Sequence, residues 1–142
     1  MGDVLKLGPH DSLEIGRSTP EALEVEASYR PGGSPPPAHF HPAQDEHFEV
    51  LEGTMRVRVD GKEHELAAGA EIDIGRGQVH QMWNPGPRPA RVRWVTAPGG
   101  RTEEWFRILD GVFAEDGDLA NGREVDFAAL LEEYSDVYRL EL

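Results

Sequence analysis

An all-β domain followed by a short helical tail is the fold class this chain predicts, and three observations carry that prediction. Sixteen glycines and eleven prolines cut 142 residues into many short segments rather than a few long ones. Within those segments apolar and polar residues alternate, as in Glu46-His47-Phe48-Glu49-Val50, and a period of two marks a half-buried strand. After Pro98-Gly99-Gly100 the period changes to that of a helix. The length suits one domain with a real core.

Taken in order, Leu13 to Tyr29 reads as two paired strands broken near Ser18-Thr19-Pro20, with Leu23, Val25 and Ala27 on one face. Gly32 to Pro37 is a stiff, proline-rich entry to His39-Phe40-His41. The two imidazoles share a face of extended chain, about 6.5 to 7 Å apart along it, and converge on one cation if the strand curves. A Pro42-Ala43-Gln44-Asp45 turn then leads into a strand on which Glu46, Phe48 and Val50 alternate with His47, Glu49 and Leu51, closing at Glu52-Gly53. Read as a hairpin, this segment folds Glu46 back towards the two histidines.

The next element is a hairpin from Thr54 to Leu66, because two alternating runs flank Asp60-Gly61, a strong two-residue turn signal. Gly69 to Ile74 alternates Ile72 and Ile74 with acidic residues. Gly75-Arg76-Gly77 breaks the strand before Val79 to Asn84 resumes it, with His80, Met82 and Asn84 on one face. Ala90 to Thr96 is a further strand that places Val92 and Trp94 opposite Arg91, Arg93 and Val95. Thr102 caps a helix with Trp105, Ile108, Leu109 and Val112 on its apolar face and Glu103 and Glu104 in its first turn. A loop at Gly117 to Gly122 leads to a second helix from Asp126 to Tyr138, striped by Phe127, Leu130, Leu131, Tyr134 and Val137 or Tyr138.

Charge and composition exclude several function classes. A formal charge of −13 repels phosphate backbones and anionic lipid, so neither nucleic acid nor a membrane is an expected partner. Met1 to Gly16 has no leader pattern and no apolar run is long enough to span a bilayer, which makes a cytoplasmic protein the expectation. The chain has no cysteine, hence neither disulfide nor thiolate ligand. What remains is His39, His41, Glu46 and His80, spaced among β-type segments so that four ligands can gather around one metal ion.

In these residues the chain resembles the cupin superfamily, and specifically the small single-domain bacterial cupins grouped with the quercetin dioxygenases. The first cupin motif, G-x5-H-x-H-x4-E-x6-G, is met by Gly33, His39, His41, Glu46 and Gly53. The second, G-x5-P-x-G-x2-H-x3-N, is met by Gly69, Gly77, His80 and Asn84, with Gly75 where the family usually has proline. That departure should loosen the turn before His80 without touching the ligand set.

The resemblance implies a double-stranded β-helix, or jelly-roll, barrel over residues 1–100 and a helical extension over 101–142 packed on it. At 142 residues the sequence is too short for two full barrels, so a two-barrel member such as an oxalate decarboxylase is not expected. The resemblance also implies one divalent transition metal ion held by His39, His41, Glu46 and His80, with iron, manganese or nickel ahead of zinc, copper or cobalt; a six-coordinate ion would keep two open positions. The implied activity is a quercetinase-like oxygenase that binds an enolate or catecholate of a small organic substrate, with Glu46 moving between ligand and general base. A non-redox isomerase or cyclase using the metal as a Lewis acid is one alternative, and a binding module without catalysis is another. A homodimer is the expected assembly.

Phe48, Val50, Met82 and Trp94 are the candidate walls of the substrate cavity, although plain core is the commoner role for such residues. Gln44, Gln78 and Tyr29 are further candidates for substrate contact. His47 should point away from Glu46, His10 and His64 should be solvated, Phe40 should pack between sheets, and Asn84 should serve a turn.

Overall fold

The structure, a computed structural model, describes residues 3–8, 11–113 and 127–140. The strands are β1 (Val4–Lys6), β2 (Asp11–Ser18), β3 (Leu23–Tyr29), β4 (His39–Phe40), β5 (Asp45–Glu52), β6 (Thr54–Val59), β7 (Lys62–Ala67), β8 (Glu71–Ile74), β9 (His80–Trp83), β10 (Ala90–Ala97) and β11 (Arg139–Leu140). Helices α1 (Thr102–Phe113) and α2 (Phe127–Glu133) lie between β10 and β11. One sheet runs β1-β2-β3-β10-β5-β8 and the other β11-β4-β9-β6-β7, with antiparallel pairing throughout. This is the expected jelly-roll arrangement.

Period-two patterning decides which residues fill the space between the sheets. From the first sheet β5, β8 and β10 contribute Phe48, Val50, Ile74 and Val92; from the second, β6 and β9 contribute Met55, Val57 and Met82. The β6–β7 turn is the one the sequence calls for, with Asp60 (φ 48°) and Gly61 (φ 83°) both left-handed, which matches the twist of the flanking strands. No helix among the described residues is long and apolar enough to cross a membrane.

Five features depart from the sequence reading. First, β4 and β5 are not a hairpin: they lie in different sheets, β4 against β9 and β11, β5 against β10 and β8. The start of β5 is tied to the β8–β9 turn instead, because Asp45 accepts from the Arg76 backbone N–H at 2.9 Å and from its guanidinium. Second, β1 is an additional strand, held by the burial of Leu5 against β2.

Third, the second helix stops at Glu133 rather than Tyr138; its expected first residue, Asp126, and the expected loop at 117–122 lie outside the described residues. Arg101 ends it by donating to the Glu133 carbonyl at 2.5 Å while gripping the Asp136 carboxylate, after which the chain turns into β11. Fourth, Phe106 lies off the predicted stripe yet is buried beside Trp105, since α1 packs into a second core with Leu5, Leu13, Leu23 and Val25. Fifth, the Thr102 hydroxyl is buried without a hydrogen-bond partner among the described residues, so it does not cap α1.

Candidate metal centre

The β4–β9 register sets His39 directly opposite His80, His41 follows just beyond β4, and Glu46 reaches across from β5 in the other sheet. One ring nitrogen from each of His39, His41 and His80 lies within 4.8 Å of the other two. Glu46 Oε1 is 3.1 Å from Nε2 of His41 and 3.1 Å from Nε2 of His80. The three histidines therefore cluster, and Glu46 lies against two of them, His41 and His80.

The hydrogen bonds settle which nitrogens face inwards. Nδ1 of His39 donates to the Pro37 carbonyl (3.0 Å), Nδ1 of His41 to the Val137 carbonyl (2.6 Å) and Nδ1 of His80 to the Gln78 carbonyl (3.0 Å). A carbonyl can only accept, so each ring carries a proton on Nδ1 and turns Nε2 to the centre. Nε2 of His41 and Oε1 of Glu46 are buried and have no hydrogen-bond partner among the described residues. An imidazole lone pair facing a carboxylate oxygen at 3.1 Å needs positive charge between them.

Protons are a poor source of that charge for three adjacent rings. Burial and the charges of His80 and His41 push His39 down to about 3. Burial also pulls on His41, but the Glu46 carboxylate beside it outweighs that pull and raises it. Burial alone would raise Glu46, yet His41 and His80 hold it below the usual carboxylate range. One divalent cation held by the three histidines, with Glu46 beside His41 and His80, would supply that charge. Two donors each about 2.1 Å from one ion lie about 3.0 Å apart at a right angle, which the observed 3.1 Å contacts fit.

Sequence reasoning missed two supports of the site. The Trp94 indole N–H donates to Glu46 Oε2 at 2.7 Å, which leaves Oε1 as the free donor; the available signal was an indole on the inward face of β10, needing an acceptor once buried. The C-terminal segment supplies the Val137 carbonyl, and the Tyr138 ring stacks on His39 at 4.6 Å. Helical periodicity had absorbed both residues into a stripe.

The other singled-out residues fall as follows. Phe48, Val50 and Met82 are buried in the intersheet core, and Trp94 packs against it. Met82 and Tyr29 line a cavity of about 50 Å³ that also touches Gly33 and Asn84. Asn84 clamps a loop, donating to the carbonyls of Tyr29, Arg30 and Arg88 while accepting from Gly86 N–H. Gln78 builds the β8–β9 turn: its Oε1 accepts from Gly75 N–H at 2.7 Å and its amide donates to Asp60. A proline at 75 has no N–H to give, so this turn is braced by hydrogen bonds where the second motif uses a ring. Gln44 is buried with an unpartnered Oε1 among the described residues. His47 points outwards between Asp73 and Glu71, and His64 is exposed. Phe40 is half-buried and belongs to neither core, and His10 lies outside the described residues.

A match to the cupin domain family spans residues 25–96, just over half of the chain and all four converging residues. The chain belongs to the cupin family. Among curated proteins this cupin is 38% identical over 60 residues to the tetracenomycin polyketide synthase protein TcmJ of Streptomyces glaucescens, an alignment covering 42% of this chain and 40% of that protein. It is 32% identical over 108 residues to the oxidoreductase AOL_s00215g277 of Arthrobotrys oligospora, covering 75% of this chain and 40% of the relative. The alignments thus span about two fifths of each relative's length. Among solved structures, an RmlC-like cupin from Shewanella frigidimarina superposes with a TM-score of 0.65 at 18% identity, over 72% of this chain and 89% of that one.

Proposed function

We propose that this cupin is a metal-dependent enzyme for a small organic substrate, and that it is an oxygenase of the quercetinase-like type. The observation that carries the reading is the donor set: three imidazoles, His41 and His80 buried and His39 half-buried, each locked with Nε2 inwards, with one carboxylate oxygen beside two of them. The similarity to a protein named an oxidoreductase supports its redox side. A divalent first-row ion, iron, manganese or nickel, would supply Lewis acidity and lower the pKa of an enol or catechol oxygen.

The chain's own residues do the rest. His39, His41 and His80 hold the site in shape through their Nδ1–H bonds. Glu46 would leave the ligand set to take the substrate proton at Oε1, with Trp94 holding Oε2 as the fixed point of that movement. Phe48, Val50 and Met82 back the site with apolar surface that excludes water.

A second reading is favoured by one observation, the similarity to a polyketide synthase protein: a cyclase that uses the same ion without redox change. Oxygen uptake separates the two. Protein reconstituted with each of iron, manganese, nickel, cobalt, copper and zinc is assayed with flavonols and β-diketones, with and without dioxygen. The oxygenase consumes oxygen with at least one pairing, the cyclase turns over equally without it, and no turnover with any pairing overturns both in favour of a binding module. The proposal extends to a homodimer, which light scattering checks.

A further inference from the structure

We propose that the C-terminal segment from Tyr134 to Leu140 is a working part of the metal centre, in which Val137 and Tyr138 hold His41 and His39 in their ligating orientations. The inference rests on the metal reading above. The segment lies outside the stretch matched by the cupin family, so its role belongs to this chain's own extension.

The three histidines are not braced alike. His39 and His80 donate Nδ1–H to carbonyls two residues earlier, at Pro37 and Gln78, so the strands that carry these rings also orient them. His41 instead depends on a carbonyl 96 residues away, and its 2.6 Å bond to Val137 is the shortest of the three. Without that carbonyl the remaining partner of the ring is the Glu46 carboxylate, 3.1 Å from Nε2, which draws the proton to the nitrogen that must stay free to ligate. The ring can then present either nitrogen, and a preformed ligand becomes one that must be ordered on binding.

Tyr138 acts on the neighbouring ring. It stacks on His39 at 4.6 Å and 23° and meets the edge of His41 at 6.0 Å, while β11 pairs Leu140 opposite His39 and Arg139 opposite Phe40. The segment is firmly anchored for this task. Val137 and Tyr134 are core residues, Trp105 lies against the rings of both Tyr134 and Tyr138, and Arg101 holds Asp136. A segment that served only to cover the sheet would need the apolar anchors alone.

The test is metal binding by the full chain, by Tyr138→Ala, by Tyr138→Phe and by a chain ending at Tyr134. Each is titrated with cobalt(II) and nickel(II) against a chromophoric chelator, with circular dichroism as the check on folding and the cobalt visible spectrum as a report on coordination. The expectation is one ion per chain for wild type and Tyr138→Phe, with Kd values within twofold of each other. Tyr138→Ala and the shortened chain should bind about 10- to 100-fold more weakly with an altered cobalt spectrum. Either of these two, folded and binding within twofold of wild type, overturns the inference; if the shortened chain does not fold, Tyr138→Ala decides it. A wild-type chain that binds no metal instead overturns the reading beneath.

Discussion

Trp94→Phe isolates a single interaction of the site. The phenyl ring keeps most of the packing that the indole makes with Phe48, at 5.3 Å, and with Phe106, at 5.1 Å. What is lost is the 2.7 Å bond from the indole N–H to Glu46 Oε2. Glu46 is 2% exposed, so no bulk water replaces the donor. A hydrogen bond to a buried charged group contributes about 1.5 to 3 kcal/mol, and a polar support behind a metal ligand is worth about 10- to 100-fold in affinity, two scales that agree. The carboxylate would gain freedom to rotate and present either oxygen. Nickel(II) or cobalt(II) titration against a chelator should give an unchanged stoichiometry of one and a Kd about 10- to 100-fold higher. The variant should keep the wild-type circular dichroism. A Kd within twofold of wild type would refute the claim that Trp94 sets the geometry of Glu46.

Three further outcomes follow from the same geometry. Gly53→Ala should be strongly destabilising, because Gly53 sits at φ 77° and an added Cβ would fall 2.5 Å from the Pro89 carbonyl oxygen; thermal denaturation should show a loss of more than about 1 kcal/mol, and an unchanged melting point would contradict it. Metal affinity should fall with acid: despite the pull of burial, Glu46 raises His41 above an ordinary imidazole, so its proton competes as pH drops through that raised value, at about tenfold per unit. Chelator competition between pH 8 and pH 5 checks this, and a flat profile would contradict it. His47 is raised by its bonds to Asp73 and Glu71, so its contribution to stability is complete below its unfolded pKa of about 6.5 and fades as pH rises through the folded value. Both carboxylates are exposed, which limits the effect to about 1 kcal/mol at most. In metal-free protein the melting-point gap between wild type and His47→Gln should therefore be wider at pH 5.5 than at pH 9.

What could be read from the sequence was whatever is encoded locally. Alternation picked out Phe48, Val50 and Met82 as core or cavity wall, Asp60-Gly61 marked its hairpin, and the motif spacings singled out His39, His41 and His80, which cluster, with Glu46 beside two of them. What escaped depends on contacts distant in sequence. A two-residue β4 carries too little pattern to declare its sheet, so Glu46 was brought to the histidines by the wrong route, a hairpin rather than a crossing between sheets. Val137 contributes a backbone carbonyl, which no side-chain pattern encodes. Tyr138 fits a helical stripe by spacing, and the contacts that end the helix before it come from Arg101, more than thirty residues earlier, and from the pairing of β11 with β4.

Anomalous-difference diffraction from crystals of the nickel- or cobalt-loaded chain tests the central claim most directly. The expected map has one peak per chain at the centre of the cluster, about 2.0 to 2.2 Å from Nε2 of His39, His41 and His80 and from Oε1 of Glu46. No peak there, a peak elsewhere in the molecule, or ligation through Nδ1 of any of the three rings would contradict it.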